Sequence, residues 1–145
     1  MRGVVRLMLC FWAVTGLLGM TGCGPSVGRP MGKITMMGQP VSGAELKFVA
    51  SDDSTKEFFG QSSVDGNYAV SFRQYAGLPV GTYTVTVTTQ TLLDGKPIPS
   101  GEQGAVLKND PEKTVKRAYR FDATIATGGN PIDFELSKGQ VLATK

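Results

Sequence analysis

The stretch from Val64 to Val87 constrains the fold more than any other. It reads Val64-Asp65-Gly66-Asn67-Tyr68-Ala69-Val70-Ser71-Phe72, then Leu78-Pro79-Val80-Gly81-Thr82-Tyr83-Thr84-Val85-Thr86-Val87. Each half is a turn signal followed by apolar/polar alternation. Asp, Gly and Asn tolerate positive φ, and Pro-Val-Gly presets a tight turn. A period of two puts Tyr68, Val70 and Phe72 on one side of a strand, and Tyr83, Val85 and Val87 on one side of the next.

The same grammar recurs along the chain. Lys33–Met36 is a first short strand, and Gly38-Gln39-Pro40-Val41-Ser42-Gly43 turns it. Ala44, Leu46 and Phe48 alternate with Glu45 and Lys47. Glu57–Val64, Tyr68–Phe72 and Thr82–Thr89 follow, and Thr82, Thr84, Thr86 and Thr88 share one face, as on a solvated sheet. Gln90 to Thr114 breaks the pattern with Asp94-Gly95-Lys96-Pro97 and Asn109-Asp110-Pro111. So long a connection is either functional or disordered. Alternation resumes from Val115 to Thr127 and again over Ile132, Phe134 and Leu136. With 19 Gly and 8 Pro in 145 residues, this predicts one all-β domain. The expected architecture is an antiparallel Greek-key-type β-sandwich of about seven strands, with no helix after an N-terminal signal segment.

Met1–Cys23 has the parts of a secretory signal. Arg2 and Arg6 precede an apolar run, Leu7 to Leu18, shorter than the roughly 20 residues a membrane span needs. The run ends Leu18-Gly19-Met20-Thr21-Gly22-Cys23, which resembles the bacterial lipobox, with Met20 where Leu is usual. That resemblance implies cleavage before Cys23 and a diacylglycerol on its sulfur. The other readings are a signal cut elsewhere or an uncleaved anchor. The expected division is a signal peptide over 1–22, a flexible tether over 23–30, the sandwich over 31–138 and a tail over 139–145. A Gly24–Pro30 tether reaches on the order of 20 Å at about 3.3 Å per residue, holding the domain near a bilayer. Fifteen basic residues face 12 acidic ones, and removal of Arg2 and Arg6 leaves 13 against 12. So the basic balance belongs to targeting and speaks for no nucleic-acid partner.

Gly32-Lys33-Ile34-Thr35, then Gly38-Gln39-Pro40-Val41-Ser42-Gly43-Ala44-Glu45-Leu46-Lys47-Phe48, resembles the opening of carboxypeptidase-regulatory-like domains. Asp65-Gly66-Asn67-Tyr68 and Leu78-Pro79-Val80-Gly81-Thr82-Tyr83-Thr84-Val85 resemble that family's next blocks, and Ile132-Asp133-Phe134-Glu135-Leu136 its closing strand. The resemblance spans about Met31 to Ser137. It implies a transthyretin-like (prealbumin-type) sandwich that acts as an accessory module rather than a catalytic part.

The chemistry available is narrow. The chain has no histidine, and its two cysteines, Cys10 and Cys23, go to the signal and to lipid, so the usual nucleophile–base arrangements fail. The expectation is a protein that is not an enzyme, with no cofactor and no metal. Asp52-Asp53 and Asp65-Gly66-Asn67 lack the alternating ligands of a calcium loop. Relatives of this fold in adhesins form Lys–Asn/Asp isopeptide bonds, but Lys33 and Asp133 both alternate outward here. Lys113, Lys116, Arg117 and Arg120 form a basic cluster, explained either as a solvated strand edge or as a surface for anionic lipid or acidic polysaccharide. Tyr75 is the aromatic residue in an apparent loop. Site candidates are therefore Cys23 for lipid, and Tyr75, Lys116, Arg117 and Arg120 for a partner. The expected partners are the membrane, through lipid on Cys23, and an envelope protein or polysaccharide. The expected role is an envelope-anchored interaction module, or alternatively a carbohydrate-binding accessory domain.

Overall fold

The structure, a computed structural model, describes residues 26–71 and 77–142. The chain folds as an all-β sandwich. One sheet is organised around β1 (Val27–Met36), which pairs with β2 (Gln39–Pro40), β5 (Asn67–Ala69), β6 (Leu78–Pro79), β9 (Gly128–Pro131) and β10 (Phe134–Glu135). The other has the order β11 (Gln140–Leu142), β8 (Thr114–Ile125), β7 (Gly81–Leu92), β3 (Glu45–Ala50), β4 (Glu57–Gln61). This second sheet is antiparallel throughout. In the first, β1 runs parallel to β9 and β10.

Among the described residues of Val64–Val87 the alternation is realised, Phe72 lying outside them, but the two halves do not pair with each other. Asn67–Ala69 joins β1 in one sheet, and Gly81–Leu92 joins β3 and β8 in the other. Tyr68 and Val70 enter the core from one side; Tyr83, Val85 and Val87 enter from the other. Gly66, at φ 77°, makes the turn that leads into β5. Phe134 of β10 joins the layers: its ring lies 5.0 Å from Phe121, 5.7 Å from Tyr68 and 6.4 Å from Phe48. Such offset and edge contacts add about 0.5–1.5 kcal/mol each beyond area burial.

Several expected boundaries are corrected. Val27–Pro30 is no tether but the first part of β1, paired with β6 and β9. Pro30 is fully buried, and a side chain at Gly28 would strike the Ala126 carbonyl. Thus Gly and Pro here mark close packing rather than freedom. Gln140–Leu142, expected as tail, pairs with Ala118–Arg120. The closing strand is short because Leu136–Lys138 turns into a 3-10 helix. The Gln90–Thr114 connection is structured: β7 continues to Leu92, Thr91 bridges to Pro97, and Glu102–Lys108 forms α1.

Candidate functional site

β7 and β8 pair over twelve positions, from Gly81 opposite Ile125 to Leu92 opposite Thr114. This ladder separates two ends of the sandwich. The far end is built by the connection from Leu92 to Thr114. Leu92 N donates to Lys96 O at 3.0 Å, closing a turn in which Asp94 pairs with Lys96 at 2.9 Å. That pairing holds the Asp94 carboxyl below its ordinary value. α1 has Glu102 in its first turn and Lys108 in its last, matching the helix dipole. Two side chains pin it down: Lys108 Nζ donates to Ser42 O at 3.1 Å, and Gln90 Nε2 donates to Lys108 O at 3.1 Å. After it, the Lys113 ammonium lies 3.1 Å from Asp110 and holds that carboxyl low.

Between α1 and the Val41–Gly43 turn lies a cleft of about 310 Å³, lined by Ser42, Val64, Pro99, Ser100, Gly101 and Lys108, among others. Val64, in the lining, is 65% exposed, and Val106 on α1 is 71% exposed. Leu93, where the connection leaves β7, is 60% exposed. Beside it is a polar notch of about 110 Å³ between Glu45, Thr88, Gln90 and Lys116. The far end therefore offers apolar side chains, hydroxyls and lysines. Among the described residues, no group of three or more His, Cys, Asp or Glu is arranged to hold a metal ion.

The predicted basic cluster is split by the sheet. Lys116 pairs opposite Gln90 and Arg120 opposite Thr86, on the outer face. Arg117 pairs opposite Thr89, on the inner register, and its guanidinium donates to Leu93 O at 3.2 Å. It braces the turn after β7. Lys113 is committed to Asp110. Four cations close in sequence thus have three different tasks. Cys23 and Tyr75 lie outside the described residues. Lys33 and Asp133 are both exposed, and Asp133 Oδ1 accepts from the Lys33 backbone N at 2.8 Å.

Sequence reasoning missed two features. One is α1 with its cleft. The other is Phe59, 64% exposed on the outer face of the second sheet, with Lys47 Nζ 6.0 Å from its ring centre. The adjacency of Phe58 and Phe59 contained the signal: in a strand one of two neighbours must face outward. Phe58 is buried and packs edge-on to Tyr83 at 6.0 Å. Comparison with models of known families, with curated proteins and with solved structures finds no match for this chain.

Proposed function

We propose that this chain is a non-enzymatic, lipid-anchored interaction module of a bacterial cell envelope. It is secreted across the inner membrane, held by lipid on Cys23, and presents the far end of its sandwich to a protein partner. The observation that carries this reading is the pinned helix α1 beside a cleft of about 310 Å³, with Val64, Leu93 and Val106 left exposed at that end. Exposed apolar side chains around a rigid concavity favour protein contact over catalysis. The absence of histidine from the chain supports the same reading. So do the ordered blocks that resemble carboxypeptidase-regulatory-like accessory domains.

Two measurements test it. Radiolabelled palmitate enters the wild type and is lost in Cys23→Ser; equal labelling overturns the anchor. Affinity capture from the native envelope retrieves a partner that Leu93→Asp/Val106→Asp no longer retains. Capture indifferent to both substitutions sinks the far-end reading.

The alternative is a carbohydrate-binding accessory domain, favoured by Phe59. It lies opposite Lys47, which in turn lies opposite Thr86, and Thr86 lies opposite Arg120. That row is an exposed aromatic with hydrogen-bonding neighbours, the make-up of a sugar platform. A glycan array comparing wild type with Phe59→Ala and Tyr75→Ala decides it: no glycan retained by the wild type ends this reading.

A further inference from the structure

The end of the sandwich opposite α1 is defined by three chain segments. Val80 N donates to Ser26 O at 3.1 Å, and Val27 pairs opposite Pro79. Gly28 pairs opposite Leu78 on one side and Gly128 on the other. The Asn130 side chain clamps the last of these segments, accepting from Ala126 N at 2.9 Å and donating to Ala126 O at 2.7 Å. None of residues 26–28, 77–82 and 125–130 carries a charge. Among the described residues, Val80, 43% exposed, is the large apolar side chain at this end. In sequence the charges flanking these segments are Arg29, Arg73, Asp122 and Asp133, of which Arg73 lies outside the described residues, and the fold adds the Asp52–Lys56 turn, tied on by Ser51 N donating to Thr82 O at 2.9 Å. In that turn Lys56 Nζ lies 3.7 Å from Asp52 and 3.6 Å from Asp53.

We propose that this end, with Val80 and Thr127 at its surface, rests on the lipid headgroups, so that the domain stands upright with α1 pointing away from the bilayer. The proposal rests on the lipid-anchor reading of Cys23 and adds its geometry. Because β1 begins at Val27 and Ser26 is already hydrogen-bonded to Val80, only the span from Cys23 to Ser26 links lipid to fold. That span reaches at most about 11 Å fully extended. The twelve residues of β7 then carry the chain roughly 36 Å to Leu92 at about 3.3 Å per residue. Lying on its side instead, the domain would press the charged outer face of the second sheet, with Glu45, Glu57 and Asp122 among Lys47, Lys116 and Arg120, toward the bilayer. Standing upright, it brings no carboxylate from the three segments themselves, and only Asp52 and Asp53 of the adjoining turn, both close to Lys56. Lys116, nine residues along the ladder from the near end, stands about 30 Å away. That is several times the screening length of about 8 Å, and Arg120, five residues along, stands about 17 Å away, so screening weakens the pull of these residues on anionic lipid.

The test uses the full chain, expressed in a bacterial envelope and reconstituted into phosphatidylcholine vesicles bearing a headgroup spin label. Trp12 is the chain's one tryptophan and precedes Cys23, so the processed protein has none and a single reporter can be placed at will. Tryptophan is introduced as Val80→Trp, as Thr127→Trp in case the first variant does not fold, and as Val106→Trp on α1. Quenching is expected to be several-fold greater at the two near-end reporters than at 106, and unchanged when phosphatidylglycerol replaces half the lipid. Equal quenching at both ends, or stronger quenching at 106, overturns the upright orientation while leaving the anchor standing. Intact mass judges the anchor separately. A chain carrying no lipid on Cys23 overturns that reading, and the orientation with it.

Discussion

Glu135 accepts from Thr35 Oγ1 at 2.9 Å, Met37 N at 2.9 Å, Gly38 N at 3.3 Å and Ser137 Oγ at 2.6 Å. It thereby ties the β1–β2 turn to the closing segment. Partial burial pushes its carboxyl up, but donation from Ser137, Thr35 and Met37 outweighs this and brings it to about 2. A depressed carboxylate contributes stability above its unfolded value, near 4.5, and loses that contribution as pH falls toward 2. Much of the side chain meets water, so the effect is discounted to about 1 kcal/mol. Glu135→Gln is expected to cost that amount at pH 7 and nothing near pH 2, as urea titrations at both values would report. Thr91 Oγ1 poses the opposite case: it is buried with no hydrogen-bond partner. Thr91→Val is expected to raise stability by about 1 kcal/mol, because an unmade hydrogen bond costs more than a methyl group in its place. A destabilised variant would show that the hydroxyl is satisfied in solution. Neither role was legible in the sequence. Glu135 reads there as the outward member of an alternating strand, and its partner Thr35 is 100 residues away.

α1 has seven residues, too few to persist alone, so its order comes from what holds it. Gly104 is its buried residue, and a Cβ there would overlap the Pro99 carbonyl oxygen. Alanine improves intrinsic helix propensity by about 1 kcal/mol, yet backbone cannot yield as a flexible side chain would. Gly104→Ala is therefore expected to loosen α1, with amide exchange over residues 104–108 faster by roughly ten-fold or more. The global unfolding free energy should fall by less than about 1 kcal/mol, since the sandwich core lies elsewhere. Unchanged exchange would mean that the helix does not depend on this close approach. A seven-residue helix with Gly at its third position and Gly101 before it presents no periodic apolar stripe, which is why the sequence read as loop. Strands reveal themselves in four or five alternating residues; a two-turn helix does not.

For the whole molecule the sharpest consequence is where the fold begins. A chain starting at residue 26 keeps β1 entire. One starting at residue 31 loses the pairing of Val27 and Gly28 with β6 and of Gly28–Pro30 with β9, together with buried Pro30. The first truncation should unfold in urea like the full chain, and the second should be less stable by roughly 3 kcal/mol or more. Equal stability of the two would restore the flexible tether. By itself the sequence determined the sandwich class, the inward register of Tyr68, Val70, Tyr83, Val85 and Val87, and the outward threonines of β7. These are properties of period-two alternation, a local signal that survives whichever strand becomes the neighbour. Only the tertiary structure decided that the halves of Val64–Val87 belong to different sheets, that Arg117 reaches the Leu93 carbonyl, and that Gly28 and Pro30 are packed. Those facts depend on partners 24 to 100 residues distant in the chain, such as Pro79 opposite Val27 and Gly128 opposite Gly28, and local composition carries no record of which distant segment will arrive.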